Sequence, residues 1–253
     1  ALRRALIPGL SKEACLRWAR HGAFGEFEGS SLNQGHILKF THQLIALPQE
    51  ELQTQFLKLM GQGHSIDTLF RTLFVQSAYL LGEMWAEDAC SFGDVTLGLT
   101  HIHQLLHRYS ENLAVELEAV EGEPAILITP MPGENHIFAA SLLSAYFRAA
   151  HWRVHSGIQL SQAEILQDLK DTYVDAVALT IGAERNLGAA KALVGHMKAK
   201  SRNQDISILV GGRPLLANPA LVQELGADGT AGSPLSALDM ARQLISSRRN
   251  EID

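Results

Sequence analysis

The stretch Pro124-Ala125-Ile126-Leu127-Ile128-Thr129-Pro130-Met131-Pro132-Gly133-Glu134-Asn135-His136-Ile137-Phe138-Ala139 decides the fold. Ala125–Thr129 is an uncharged run rich in isoleucine and bounded by prolines, so it predicts a short strand buried on both faces. Pro130–His136 is a turn rich in proline and glycine. Ile137–Ala150 then reads as a helix. A buried strand, a loop and a helix in that order make the opening of a parallel β-α repeat.

The repeat continues outward toward the C-terminus. Trp152–His155 predicts a strand, and Ser161 with Glu164 predicts a capping box for a helix through Lys170. Val174–Leu179 predicts a strand and Asn186–Lys200 a helix. Ile206–Val210 predicts a strand, with Asn218-Pro219 starting the next helix. Asp228–Ala231 predicts a last strand, and Ser233-Pro234 starts the last helix. Five strands alternating with helices argue for a flavodoxin-like, Rossmann-type, doubly wound parallel sheet over residues 124–250. Ligands of such sheets bind beyond the carboxyl ends of the strands. The loops to inspect are therefore 130–136, 180–185, 211–215 and 231–233. None holds Gly-x-Gly-x-x-Gly, which argues against a dinucleotide.

Outward in the other direction, Gly122 and Pro124 mark a joint. Before it the pattern is helical. Residues 1–34 are weakly patterned, with a short helix at Ser11–Arg20 and a glycine-rich loop from Gly22 to Gly35. A helix is expected around His36–Ala46, another from Pro48 to Gly61, and another from Ser65 to Trp85. Ser91 and Asp94 then open the strongest helix. Its seam of Phe92, Val95, Leu99, Ile102, Leu106, Tyr109 and Leu113 alternates steps of three and four. The expectation is a four-helix bundle over residues 35–120, behind an N-terminal extension at 1–34.

The chain of 253 residues has a net charge of −6, which suits a protein partner better than nucleic acid, and no basic recognition helix or other direct DNA-binding module is seen. Cys15 and Cys90 form no zinc or disulfide pattern, consistent with a reducing, cytoplasmic setting. No apolar run is long enough for a membrane. The unusual count is 11 histidines.

With the loops in place, Glu134-Asn135-His136-Ile137-Phe138-Ala139 resembles the Asp-x-His-x-x-Gly motif of cobalamin-binding domains. Thr180-Ile181-Gly182 stands where that family has Ser-x-Leu, and Gly211-Gly212 matches its Gly-Gly. In the bundle, Leu81-Gly82-Glu83-Met84-Trp85 and Ser91-Phe92-Gly93-Asp94-Val95-Thr96-Leu97-Gly98 are similar to the AerR/PpaA-type antirepressors of purple bacteria, relatives of the CarH-type light sensors. The resemblance covers roughly residues 36–247. It departs at Glu134 for Asp, Ala139 for Gly, and Thr-x-Gly for Ser-x-Leu. Val95 or Thr96 stands at about the place of the bundle histidine of CarH-type proteins, which argues against a switch with two histidine ligands.

The resemblance implies a cobalamin, as adenosylcobalamin or hydroxocobalamin, with His136 binding cobalt from below and Glu134 as a candidate acceptor for its second ring nitrogen. The nucleotide tail would pass Thr180, Gly182 and Gly211-Gly212 through a channel left by missing side chains. Trp85 and Val95 would meet the upper face. Gly133, Asn135, Phe138, Ala139, Arg213, Gly232 and Ser233 complete the implied contacts. The implied function is a non-enzymatic, light-responsive regulator acting through a transcriptional repressor. A corrinoid methyl carrier, or a haem- or biliverdin-binding sensor, are the alternatives.

Other features read more plainly. His101, His103 and His107 are expected on the polar surface, His151 and His155 exposed, and Arg248-Arg249 solvated. Cys90 lies beside a helix start that can lower a thiol pKa, although a structural thiol is expected.

Overall fold

The computed structural model describes residues 32–115, 123–135, 137–157 and 159–250. The expected helix at Ser11–Arg20 lies outside them. The chain divides into two compact units, one up to Glu116 and one from Leu117.

In the first unit, α1 (Gln34–Ala46) starts at Asn33, whose side chain accepts the His36 N–H while the His36 ring accepts the Asn33 N–H. Gly35 thus belongs to the helix and not to the preceding loop. α2 (Gln49–Gly61) begins one residue later than expected, with Pro48 at its N-cap. Ser65 caps α3, which runs as Ile66–Thr68, a π-helical stretch Leu69–Phe74, and Val75–Ala86. Ser91 and Asp94 form the expected box on α4 (Phe92–Tyr109). A 3-10 turn follows at Ser110–Val115.

The core of this unit is aromatic. Phe56 lies 5.3 Å from Phe74 and 5.0 Å from Tyr109, ring centre to ring centre, and Phe40 and Phe70 also pack on Phe74. Each fully buried phenylalanine is worth about 1.5–3 kcal/mol of transfer free energy. The seam of α4 is buried only from Ile102 onward; Phe92 is 70% exposed. His101 corrects the surface expectation. It is buried, its Nδ1 lying 2.8 Å from the Leu44 carbonyl of α1, a partner that helical spacing alone cannot reveal.

In the second unit, β1 (Ala125–Pro130), β2 (Arg153–Ser156), β3 (Ala176–Thr180), β4 (Ser207–Gly211) and β5 (Gly229–Thr230) form one parallel sheet in the order β2-β1-β3-β4-β5. β1 and β3 are buried throughout, as the apolar runs predict. The helices are α5 (Phe138–Ala149), α6 (Gln162–Asp171), α7 (Leu187–Lys200), α8 (Arg213–Ala217), α9 (Leu221–Leu225) and α10 (Pro234–Asn250). α5 packs with α10, whereas α6 and α9 pack with α7, so the sheet is covered on both faces.

Pro214 starts the short α8 directly after β4, and Asn218 ends it. Asn218-Pro219 then leads into α9 as expected: the Asn218 side chain accepts the Ala220 N–H, and the Asn218 and Pro219 carbonyls accept the Leu221 and Val222 N–H groups. Arg248 is also corrected: it is not solvated but pairs with Asp228 at 3.1 Å and donates to the Asp205 carbonyl. Asp228 further receives Lys198 at 2.9 Å and the Ile208 N–H at 2.7 Å, which pins α10 and α7 to β4.

Candidate functional site

The strand order places the topological switch between β1 and β3, where the chain leaves the sheet in opposite directions. The loops that follow these two strands are joined there. The Met131 N–H donates to the Thr180 carbonyl at 2.8 Å, and the Ile181 N–H to the Gly211 carbonyl at 2.8 Å, extending the ladder one step beyond β1, β3 and β4. On the β2 side the Thr129 hydroxyl donates to the Gly157 carbonyl at 2.8 Å.

Glu134 is the main polar group of the crevice. It is buried although it sits on a loop. Its carboxylate accepts the Gly182 N–H on both oxygens, at 3.0 and 2.8 Å, and the Asn186 side-chain amide at 2.6 Å. The carboxylate expected to serve the His136 ring is thus directed to the loop after β3. His136 itself lies outside the described residues. Asn186 was not legible as a site residue; its sole sequence signal is its position at the start of α7.

Two hydroxyls at the carboxyl ends of strands, those of Thr180 and Thr230, are buried without a hydrogen-bond partner. Such a group costs about 1–3 kcal/mol until an acceptor or donor reaches it.

The glycines behave differently from one another. Gly133 has φ +81° and open space where a side chain would stand. Gly212 has φ +118°, and a Cβ there would lie 2.1 Å from the Ile181 carbonyl oxygen. The channel expected beside Gly212 is therefore filled by the backbone of the loop after β3. Gly182 is exposed yet its N–H is bound by Glu134. Asn135, Ala139, Arg213 and Gly232 are exposed and Phe138, Gly211 and Ser233 half-buried; the Ser233 hydroxyl caps α10 by accepting the Ser236 N–H.

Trp85 and Val95 belong to the first unit. Trp85 is 53% exposed and meets Phe92 edge to face at 6.3 Å. Val95 is half-buried. Phe92, expected in the seam, lies exposed on the first turn of α4. His103 is half-buried with Nδ1 2.8 Å from the Leu99 carbonyl, and His107 is exposed. Among the described residues no three histidine, cysteine or acidic side chains are grouped to hold a metal ion. Burial, and then the charge of Asp94, push the Cys90 thiol up, opposite to the lowering that a helix start can cause. No helix among the described residues is long and apolar enough to cross a membrane.

Residues 124–239 match the family model of the B12 binding domain. Over 154 residues the chain is 21% identical to an uncharacterized 20.5 kDa protein of the bchF-crtJ intergenic region of Rhodobacter capsulatus, covering 60% of this chain and 79% of that one. The fold is similar to that of the monomethylamine corrinoid protein of Methanosarcina barkeri, at a TM-score of 0.66 and 11% identity, over 85% of this chain and all of that one. A cobalamin-binding protein from Desulfitobacterium hafniense DCB-2 aligns at a TM-score of 0.46 and 17% identity, over 82% of this chain and 98% of that one.

Proposed function

With a B12 binding domain over residues 124–239 as the premise, we propose that the chain is a cytoplasmic, non-enzymatic cobalamin-binding regulator of the AerR/PpaA antirepressor type, responsive to light and acting on transcription through a partner repressor. The observation that carries the cobalamin reading is the Thr180 hydroxyl, buried and without a partner at the carboxyl end of β3, where the family motif has a serine. A nucleotide tail passing the switch point offers that hydroxyl an acceptor. Gly133, with its open face, lets the loop backbone come close to a flat macrocycle. The residues present therefore fit the group.

His136 would hold cobalt, since imidazole is a good ligand for transition metals; this role rests on its motif position. An alkylcobalamin would supply a cobalt–carbon bond that light can break. The chain's part would be to bind the corrin and carry the change in bound ligand to a surface that a repressor contacts. The antirepressor reading is supported by the Leu81–Trp85 and Ser91–Gly98 resemblance.

The test is gel filtration of the chain after incubation with adenosylcobalamin in the dark. Co-elution, and an absorption spectrum that changes on illumination, is expected. Elution of the corrinoid apart from the protein contradicts the reading, and a Soret band on purification points to haem instead. A corrinoid methyl carrier is the second reading, favoured by the fold likeness to the monomethylamine corrinoid protein; methyl transfer to a thiol in the presence of a partner enzyme would distinguish it.

A further inference from the structure

We propose that Glu134 and Asn186 form a latch across the switch-point crevice, and that a ligand entering between the loops after β1 and β3 has to open it. The identity of that ligand rests on the cobalamin reading above; the latch itself rests on geometry.

Three observations carry it. First, Glu134 bridges the two loops that flank the crevice, through the Gly182 N–H and the Asn186 amide, and no backbone bond joins the loops beyond Met131 among those described. Second, the space below is shut: the Thr180 hydroxyl is enclosed without a partner, and the Ile181 carbonyl lies against Gly212 where a channel would run. Third, Gly182 is an exposed residue whose N–H is nonetheless engaged, so the bond serves the loop contact and not the burial of an amide. Hydrogen bonds to a carboxylate are the stronger kind. A binding-competent state that needs them broken is populated in proportion to their weakness, and apparent association scales with that population.

The test uses the full chain, its Asn186→Ala variant and its Glu134→Gln variant. Hydrogen exchange is read at the Gly182 amide without ligand, and hydroxocobalamin uptake by stopped flow. Asn186→Ala is expected to raise Gly182 exchange and to speed association roughly tenfold with dissociation unchanged. Glu134→Gln keeps the shape and loses the charge, so a smaller acceleration is expected. A merely structural role for Asn186 would instead speed dissociation. Unchanged Gly182 exchange in Asn186→Ala, or association equal to or slower than in the parent chain, overturns the latch. If the parent chain takes up no hydroxocobalamin, the cobalamin reading fails, and the exchange measurement still decides the latch by itself.

Discussion

Glu134 and Gly182 stand 48 positions apart in sequence, yet the Gly182 N–H lies 2.8 Å from one Glu134 oxygen and 3.0 Å from the other. This contact ties the loop of the strand that opens the sheet to the loop of its neighbour across the switch point. It also explains how a glutamate is kept buried on a turn: both its oxygens find donors, which is the condition for burying a charge.

Removing that carboxylate is expected to cost stability. Glu134→Ala removes the carboxylate hydrogen bonds of the Gly182 N–H and the Asn186 amide, for a loss of about 1.5–3 kcal/mol. Urea unfolding of the two proteins measures it. A variant as stable as the parent would mean that the contact contributes nothing net.

A stronger backbone constraint sits at Gly212. Any side chain there faces both the positive φ of +118° and the Ile181 carbonyl at 2.1 Å from its Cβ. Gly212→Ala is expected to destabilise by about 1–3 kcal/mol from the strained backbone alone, read again in urea. By contrast, Gly133→Ala meets open space and carries only the strain of its φ of +81°, so it should cost less.

Asp228 gathers Lys198, Arg248 and the Ile208 N–H on a carboxylate whose side chain is only 18% exposed. Asp228→Ala orphans a β4 amide and is expected to cost about 1–3 kcal/mol. Arg248→Ala removes a partly exposed ion pair and a hydrogen bond to the Asp205 carbonyl, orphans no buried amide, and should cost about 1 kcal/mol. A thermal melt of each variant checks the order.

The first unit is expected to weaken in mild acid. Burial first, and the neighbouring His36 second, hold His64 below its ordinary value of 6.5; the two rings lie 6.0 Å apart. A histidine lowered in the folded state binds fewer protons there than when unfolded. Above 6.5 both states are neutral and the group has no effect on stability. Below 6.5 the unfolded state gains the proton first, so stability falls until the folded pKa is passed. Urea midpoints at pH 7.5 and 5.5 for the parent chain and His64→Gln test this: the fall attributable to His64 should be absent in the variant, and an equal fall in both would contradict it.

Much of this molecule can be read from local sequence. The boxes at Ser91/Asp94 and Ser161/Glu164 are set by residues three apart, and the structure has both. β1, β3 and β4 follow from apolar runs between turns, and the parallel, doubly wound sheet follows from the alternation of strands with helices. What escaped depends on partners far away in sequence. His101 is buried because a carbonyl of α1 reaches its ring. Arg248 is held because β5 delivers Asp228 beside it. Glu134 points to Gly182 and Asn186 because the strand order, which no local pattern encodes, sets their loops side by side. The Thr180 and Gly212 positions stand out through motif spacing, but the contact between the Ile181 carbonyl and Gly212 does not.

The central claim is that His136 ligates cobalt in a bound cobalamin. The most direct measurement is the visible absorption spectrum of the chain loaded with hydroxocobalamin, compared with that of His136→Ala loaded alike. The account predicts that the parent chain retains the corrinoid through gel filtration and that the variant's cobalt bands shift or its corrinoid is lost. A parent chain that retains none, or a variant with bands identical to the parent's, would contradict it.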